Sequence, residues 1–203
     1  MSLREQKKKE TRCRIFEISS RMFREKGFEN TTVDEITKEA GIAKGTFFNY
    51  FPTKESLLYY FREQKEEFIR TIMNDQISLG ISSRQKIENF LVQVAEHYEK
   101  ERELLRLLFF EQKKLLLTTG HEKSCHSDKR KKHEFFINML ADFVREGMHK
   151  GEIRSDADSK VVAEILYAVY FHSLMIWLHS EKDYSFSKDM SAKIAIIFEG
   201  IGV

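Results

Sequence analysis

A single proline, Pro52, stands in a chain of 203 residues, so the backbone is almost nowhere forced out of a hydrogen-bonded helix. Around it, apolar side chains recur at intervals of three and four, and no sustained alternation of Val, Ile, Thr and aromatic residues bounded by turn residues occurs. The chain is therefore expected to be all-α. Its length allows one generous domain or a small domain followed by a larger one. With 33% charged and 41% hydrophobic residues it has the balance of a soluble, folded protein, neither disordered nor membrane-like.

Glycines and capping patterns divide the helices. Ile15, Ile18 and Met22 form one stripe, with Phe16 and Phe23 beside it, in a first helix that stops at Gly27, where glycine accepts a positive φ. Thr32 followed by Glu35 has capping-box spacing, in which each side chain satisfies an amide at the helix start. Val33, Ile36 and Ala40 then form the apolar face of a short second helix ending at Gly41. A third helix runs from about Lys44 to Tyr50, because Pro52 disfavours helical geometry at Phe51. Thr53 caps a long fourth helix, about residues 54–79, carrying Leu57, Phe61, Phe68 and Ile72.

Further on, Ser82 with Gln85 repeats the capping-box spacing ahead of Ile87, Leu91 and Val94, and another helix is expected from about Glu101 to Leu117. The polar stretch Thr118 to Lys132 reads as a loop. A helix with Phe136, Met139, Leu140 and Phe143 follows and ends near Gly151. Asp158 or Ser159 starts the next, which is apolar nearly all round from Val161 to Leu178, and a last helix is expected from Ser187 to Phe198.

Charge is distributed unevenly. Residues 1–65 hold 14 Lys and Arg against 10 Asp and Glu, whereas the whole chain has 34 against 32. Arg4, Lys7, Lys8, Lys9, Arg12 and Arg14 crowd the first 14 residues. A basic tip on a near-neutral body suits an end that meets phosphates, and it equally suits a solvated terminus. Only Cys13 and Cys125 are present, with no secretory segment and no run of 18 apolar residues, so a reducing, cytoplasmic compartment and no membrane association are expected.

Two short helices separated by Gly41, Ile42 and Ala43 fit a helix-turn-helix, where a tight turn containing glycine sets the second helix across the first. On the second, Lys44, Thr46, Asn49 and Tyr50 can project outward while Phe47, Phe48 and Phe51 anchor the other side. The major groove of B-DNA admits such a helix. Asn49 suits bidentate pairing with adenine and Thr46 a thymine methyl, whereas Lys44 and Tyr50 suit phosphates. Thr32 and Lys54, each at a helix start, are further candidates for phosphate contact.

Gly27-Phe28 followed by TTVDEITKEAGIAKGTFFNYFPTKESLL, residues 31–58, resembles the DNA-binding domain of the TetR family of regulators. The resemblance covers the first quarter to third of the chain; the remainder is similar only in helix count, length and all-α character. Two positions depart from the family pattern, Ala43 where serine is usual and Phe48 where tyrosine is usual, and each removes a hydroxyl that can cap a helix or meet DNA. The resemblance implies a DNA-binding domain at 1–53 and a larger ligand-binding and dimerisation domain at 54–203, with helix four linking them. It further implies a homodimeric repressor on a palindromic double-stranded operator, released by a small, largely hydrophobic effector. An activator or a ligand-independent regulator stays open, as does a helical interaction module without DNA binding.

In the larger domain, Phe109, Phe136, Met139, Phe143, Tyr167, Tyr170, Phe171, His172 and Met175 are candidates to line a ligand pocket, with Phe110 and Phe135 near them in sequence. At helical spacing the same residues also suit a plain core. The last two helices are the candidate dimer interface, since the helix Val161 to Leu178 demands burial on more than one side. His121, Cys125, His126 and His133 match no standard zinc spacing and sit among Lys123, Lys129, Arg130, Lys131 and Lys132, so no metal and no cofactor are expected. An enzyme is not expected either. A di-iron bundle needs two Glu-x-x-His pairs and only Glu146 with His149 qualifies, and no glycine-rich phosphate loop or nucleophile signature is present.

Overall fold

The computed structural model describes residues 2–109, 122–182 and 184–200, with the side chains of 122–132 excepted. Those residues are helical throughout apart from turns, with no strand among them. They fall into two compact units, one holding residues up to 68 with 107–109, the other 69–106 and the described residues from 122 onward.

The first unit opens with α1 (Leu3–Lys26), started by a capping box between Ser2 and Glu5 and ended by Gly27 at φ 84°. Its buried face runs through Ile15, Ser19, Ser20 and Phe23, so two serines take core positions that the Ile18 and Met22 stripe does not include. Ser19 stays satisfied there because its hydroxyl donates to the Ile15 carbonyl at 2.7 Å. Helix α2 (Val33–Ala40) has the expected Thr32 and Glu35 capping box. It stops at Gly41, which adopts the left-handed conformation at φ 63°, ψ 37°. Helix α3 (Lys44–Tyr50) ends at an extended Phe51, as the following proline requires. Helix α4 (Ser56–Ser78) starts two residues later than expected, after a turn in which Thr53 and Ser56 exchange hydrogen bonds: Ser56 N–H donates to Thr53 Oγ1 at 3.3 Å and Thr53 N–H to Ser56 Oγ at 3.2 Å.

The core of this unit is aromatic. Phe47, Phe51, Tyr60 and Phe61 are buried with Ile15, Ile36 and Leu57. Ring centroids lie 5.8 Å apart for Phe47 and Phe51, 5.6 Å for Phe51 and Tyr60, and 5.1 Å for Phe16 and Tyr60. Tyr60, buried and contacted by the Cys13 thiol at 3.6 Å, has its phenol pushed up to about 12, first by desolvation and then by that contact.

The second unit contains α5 (Ser83–Glu99), residues 102–106 of α6 (described over 102–109), α7 (Glu122–His149), α8 (Ser159–His179) and α9 (Phe186–Glu199). Helix α7 packs on α8, and α5 packs on both α9 and α7. The starts are built from side chains: Ser82 with Gln85 for α5, Asp158 for α8 and Ser185 for α9. One expectation is overturned here. Residues 122–132 are the first turns of α7, not a loop, because Glu, Lys and Arg are good helix formers and no glycine or proline occurs between Gly120 and Gly147. Residues 118–121 lie outside the described residues.

Long-range polar ties hold the second unit together. Arg102 donates to the carbonyls of Trp177 and Ser180 at 2.6 and 2.5 Å and lies over the Trp177 ring, closing the end of α8. Lys86, 3% exposed, donates to both Glu146 oxygens at 2.9 and 3.1 Å and reaches the Ile77 carbonyl at 3.4 Å, joining α5, α7 and the end of α4. Glu99 accepts from the Ser187 N–H and the Ser185 hydroxyl, each at 3.0 Å.

Candidate nucleic-acid interface

The exposed face of α3, the candidate reading surface, is made by what the helix buries. Phe47 and Phe51 are 0% and 1% exposed, so the seven-residue helix is clamped from beneath. That leaves Lys44, Gly45, Phe48 and Asn49 exposed and Thr46 and Tyr50 half-buried. Phe48 does not join the anchors. It is 42% exposed and meets Phe47 edge-on at 5.5 Å, because its position on the helix faces away from the core that receives Phe47 and Phe51. The start of α3 lacks a side-chain cap: Ala43 holds capping geometry at φ −70°, ψ 150° with no hydroxyl to offer.

The turn before α3 is fixed by backbone. Gly41 N–H returns to the carbonyl of Lys38 and Ile42 N–H to that of Thr37, at 3.2 and 3.0 Å. A side chain at Gly41 meets no neighbour, so its requirement is the positive φ alone. Lys44 reaches back to Asp34 at 2.7 Å, an exposed pair that a phosphate can replace at little cost.

Thr32 donates its hydroxyl to Glu35 at 2.7 Å and accepts from the Glu35 N–H at 3.3 Å. Glu35 also takes the Lys26 ammonium, and the Lys26 and Thr32 hydrogen bonds hold its carboxyl down at about 2. Lys54 is turned toward the protein. Its ammonium donates to the carbonyls of Phe28 and Thr31 at 2.8 and 3.1 Å and sits 4.2 Å from the Phe28 ring centroid, pinning the loop between α1 and α2. The sequence pattern marks Lys54 as a helix-start residue; the long-range carbonyls it holds have no local signature.

Beside α3 lies a cleft of about 830 Å³ lined by Tyr50 and, from α1, Leu3, Arg4, Glu5, Lys7, Lys8 and Thr11.

In the second unit the aromatic candidates separate into two groups. Phe136, Met139, Phe143 and Tyr170 are buried. Phe136 stacks on Tyr170 at 5.2 Å and approaches Phe90 at 5.4 Å, and burial pushes the Tyr170 phenol well above its ordinary value. Tyr167, Phe171, His172 and Met175 instead line an open groove of about 520 Å³ with His133, Ile137, Glu164 and Ala168. Tyr167 and Phe171 stack at 5.9 Å, and His133 meets Tyr167 edge-on at 4.6 Å. Phe109 belongs to the first unit, Phe135 lies under Arg70 at 4.0 Å, and Phe110 lies outside the described residues.

Among the described residues no group of three or more His, Cys, Asp and Glu is placed to hold a metal ion. His121 and the side chains of Cys125 and His126 lie outside the description. Glu146, the carboxylate of the lone Glu-x-x-His pattern, is bonded to Lys86 and to Lys150, the latter at 2.6 Å. Helix α8 is, by length and composition, apolar enough to cross a membrane, although Glu164, His172 and Ser173 interrupt its apolar residues. Seven of its residues, including Leu174, Trp177 and Leu178, are buried against neighbouring helices, while Val161, Ile165, Phe171 and Ile176 are exposed.

Residues 15–68 match the model of the family described as bacterial regulatory proteins, tetR family. Over nearly the whole length, the chain is 22% identical to the fatty acid metabolism regulator protein of Bacillus subtilis, covering 92% of this chain and 93% of that one. Among solved structures it is similar to Thermus thermophilus FadR, a TetR family transcriptional repressor in complex with lauroyl-CoA, with TM-score 0.65, 25% identity and 95% of each chain covered. The fold also matches Bacillus subtilis FadR in complex with stearoyl-CoA, with TM-score 0.70, 18% identity and 94% and 99% of the two chains covered. The exposed polar helix on its buried rings and these matches together define a helix-turn-helix transcription regulator. Residues 15–68 carry the DNA-binding domain of the TetR family, and the rest of the chain is similar to regulators of that family in fold.

Proposed function

We propose that the protein is a homodimeric repressor that leaves a palindromic operator when it binds a long-chain acyl thioester. The observation that carries the DNA half is the mount of α3: two buried rings hold Thr46, Asn49 and Tyr50 on a short helix whose Lys44, Phe48 and Asn49 are exposed. In this reading Thr46 and Asn49 contact base edges, and Lys44, Tyr50 and Thr32 contact phosphates. Lys54 acts by fixing the loop that positions Thr32, since its ammonium is already held by Phe28 and Thr31. Such a regulator works in the cytoplasm, where its DNA is.

The end-to-end likeness to a repressor complexed with lauroyl-CoA supports the effector class. So does the groove on α7 and α8, whose wall is mostly aromatic and aliphatic, with His133, Glu164, His172 and the Tyr167 phenol as its polar groups. The dimer face suggested by exposure is the outer stripe of α8 and α9. Val161 and Ile165 are 50% exposed, and Ile176 and Ile196 are exposed with them, an apolar strip that a second copy would cover.

The test is operator release. On a duplex from its own upstream region, the protein is expected to bind as a dimer and to lose about 5–150-fold in affinity with saturating palmitoyl-CoA, the usual range for coupled sites. Coenzyme A alone should leave binding unchanged. An affinity indifferent to acyl chains of every length would overturn the effector assignment, because a ligand that binds both states equally shifts nothing.

A further inference from the structure

The first eight residues of α1, 3–10, are exposed without exception; partial burial begins at Thr11. They stand free of the core for about 12 Å at the helical rise per residue. Nothing in the packing requires them to be helical, yet the capping box of Ser2 and Glu5 and a run of Arg, Glu, Gln and Lys keep them so. The charge they carry works against that stability, since Arg4 sits in the first turn, where the helix macrodipole disfavours cations.

The cations do not point at random. Arg4, Lys7 and Lys8, spaced at three and four, share one face and line the cleft whose opposite side is Tyr50 of the reading helix. None of the three makes an ion pair with another described residue. Glu5, the carboxylate in the same cleft, is committed to the helix start, accepting the Ser2 N–H at 2.8 Å. Arg12, one turn on, instead lies over the Tyr60 ring at 4.1 Å and pairs with Glu63 at 3.6 Å. Lys9 lies on a different face and does not line the cleft.

We infer that the first turns of α1 are a rigid phosphate arm: Arg4, Lys7 and Lys8 engage the sugar–phosphate backbone adjoining the phosphate that Tyr50 meets, and extend the footprint past α3. This rests on the DNA-binding reading of α3 and adds to it a second element with a separate electrostatic signature. Each phosphate neutralised releases condensed counterions, so arm contacts appear in the salt dependence of binding rather than in base preference.

The experiment measures operator affinity against KCl concentration for the intact protein and for Lys8→Ala, Lys9→Ala and the triple variant R4A/K7A/K8A. Lys8→Ala should flatten the log–log slope by about 0.9 per head, and the triple variant by up to about 2.7 per head. Lys9→Ala, an identical charge change on another face of the same helix, should flatten it far less. The ratio of operator to random-duplex affinity should stay constant across all variants. Equal slopes for Lys8→Ala and Lys9→Ala would overturn the arm, leaving only diffuse charge. A triple variant that loses operator preference at unchanged slope would also overturn it, by assigning these side chains to base edges. Failure of the unsubstituted protein to bind any duplex would instead remove the DNA-binding reading, a result seen before any variant is made.

Discussion

The two units are held together at different distances along the chain. In the first unit the polar bonds around α2 and α3 are short-range, Thr32 with Glu35, Thr53 with Ser56, Gly41 with Lys38 and, across 26 residues, Lys54 with Phe28, while the longer Cys13 and Tyr60 contact, across 47, ties α1 to α4. In the larger unit they span 60 residues from Lys86 to Glu146, 75 from Arg102 to Trp177 and 103 from Ser191 to Glu88. The first unit has an aromatic core and sets its buried lysine, Lys65, against the Phe61 ring at 4.8 Å. The second buries a lysine and answers it with a carboxylate. The helix-turn-helix is thus specified mostly by local signals, and the larger unit by contacts between segments far apart in the chain.

The largest expected effect tests whether the head is a separable folding unit. Phe47→Ala removes a fully buried ring from beneath α3 and should cost about 3–5 kcal/mol. Thermal melts followed by circular dichroism should then show an early transition for the head ahead of an unshifted one for the larger unit, with operator binding lost. One transition displaced as a whole would break the comparison by showing that the two units melt together.

That local character is why the head was legible in the sequence. Capping-box spacing, Gly41 and Pro52 specify where α2 and α3 start and stop without reference to the rest of the molecule. Where the reading missed, a distant partner or a solvated surface decided the outcome. Phe48 is apolar yet exposed, because α3 has only one buried face. Residues 122–132 are polar yet helical, because polarity marks loops only when it comes with helix breakers. Aromatic residues of α7 and α8 look alike in sequence, and only packing separates buried Phe136 and Tyr170 from the groove residues Tyr167 and Phe171. The inward turn of Lys54 has no sequence signal at all, since its acceptors are backbone carbonyls.

The next effect probes the ties of the larger unit. Glu146→Gln leaves the Lys86 ammonium buried beside a neutral amide and the Ile77 carbonyl, a loss of about 3 kcal/mol. Lys86→Met should cost less, because Glu146 is only partly covered and keeps Lys150. Hydrogen bonds from Lys150 and Lys86 hold the Glu146 carboxyl below its ordinary value. Its contribution is therefore present above the unfolded-state value and fades as pH falls through the folded one, so the Gln variant should lack that acid-side slope. Chemical denaturation as a function of pH checks both the order and the slope. If Lys86→Met proves the costlier change, the buried cation is not what the pair serves.

The smallest effect has the opposite sign and returns to the head. Ala43 already has the backbone geometry of a helix cap and lacks only the side-chain acceptor, so Ala43→Ser should gain about 1 kcal/mol by offering a hydroxyl to the amides of the first turn of α3. The gain should appear in the head's transition and leave the larger unit's unmoved. Operator affinity should rise with it, by steadying α3, while the salt slope stays as it was, because a neutral hydroxyl releases no counterion. A gain in affinity without a gain in stability would place the new hydroxyl on a phosphate rather than on the helix. In that case a position chosen for its local capping geometry would act through DNA, and the contrast between a locally built head and a distantly tied body would no longer account for the missing cap.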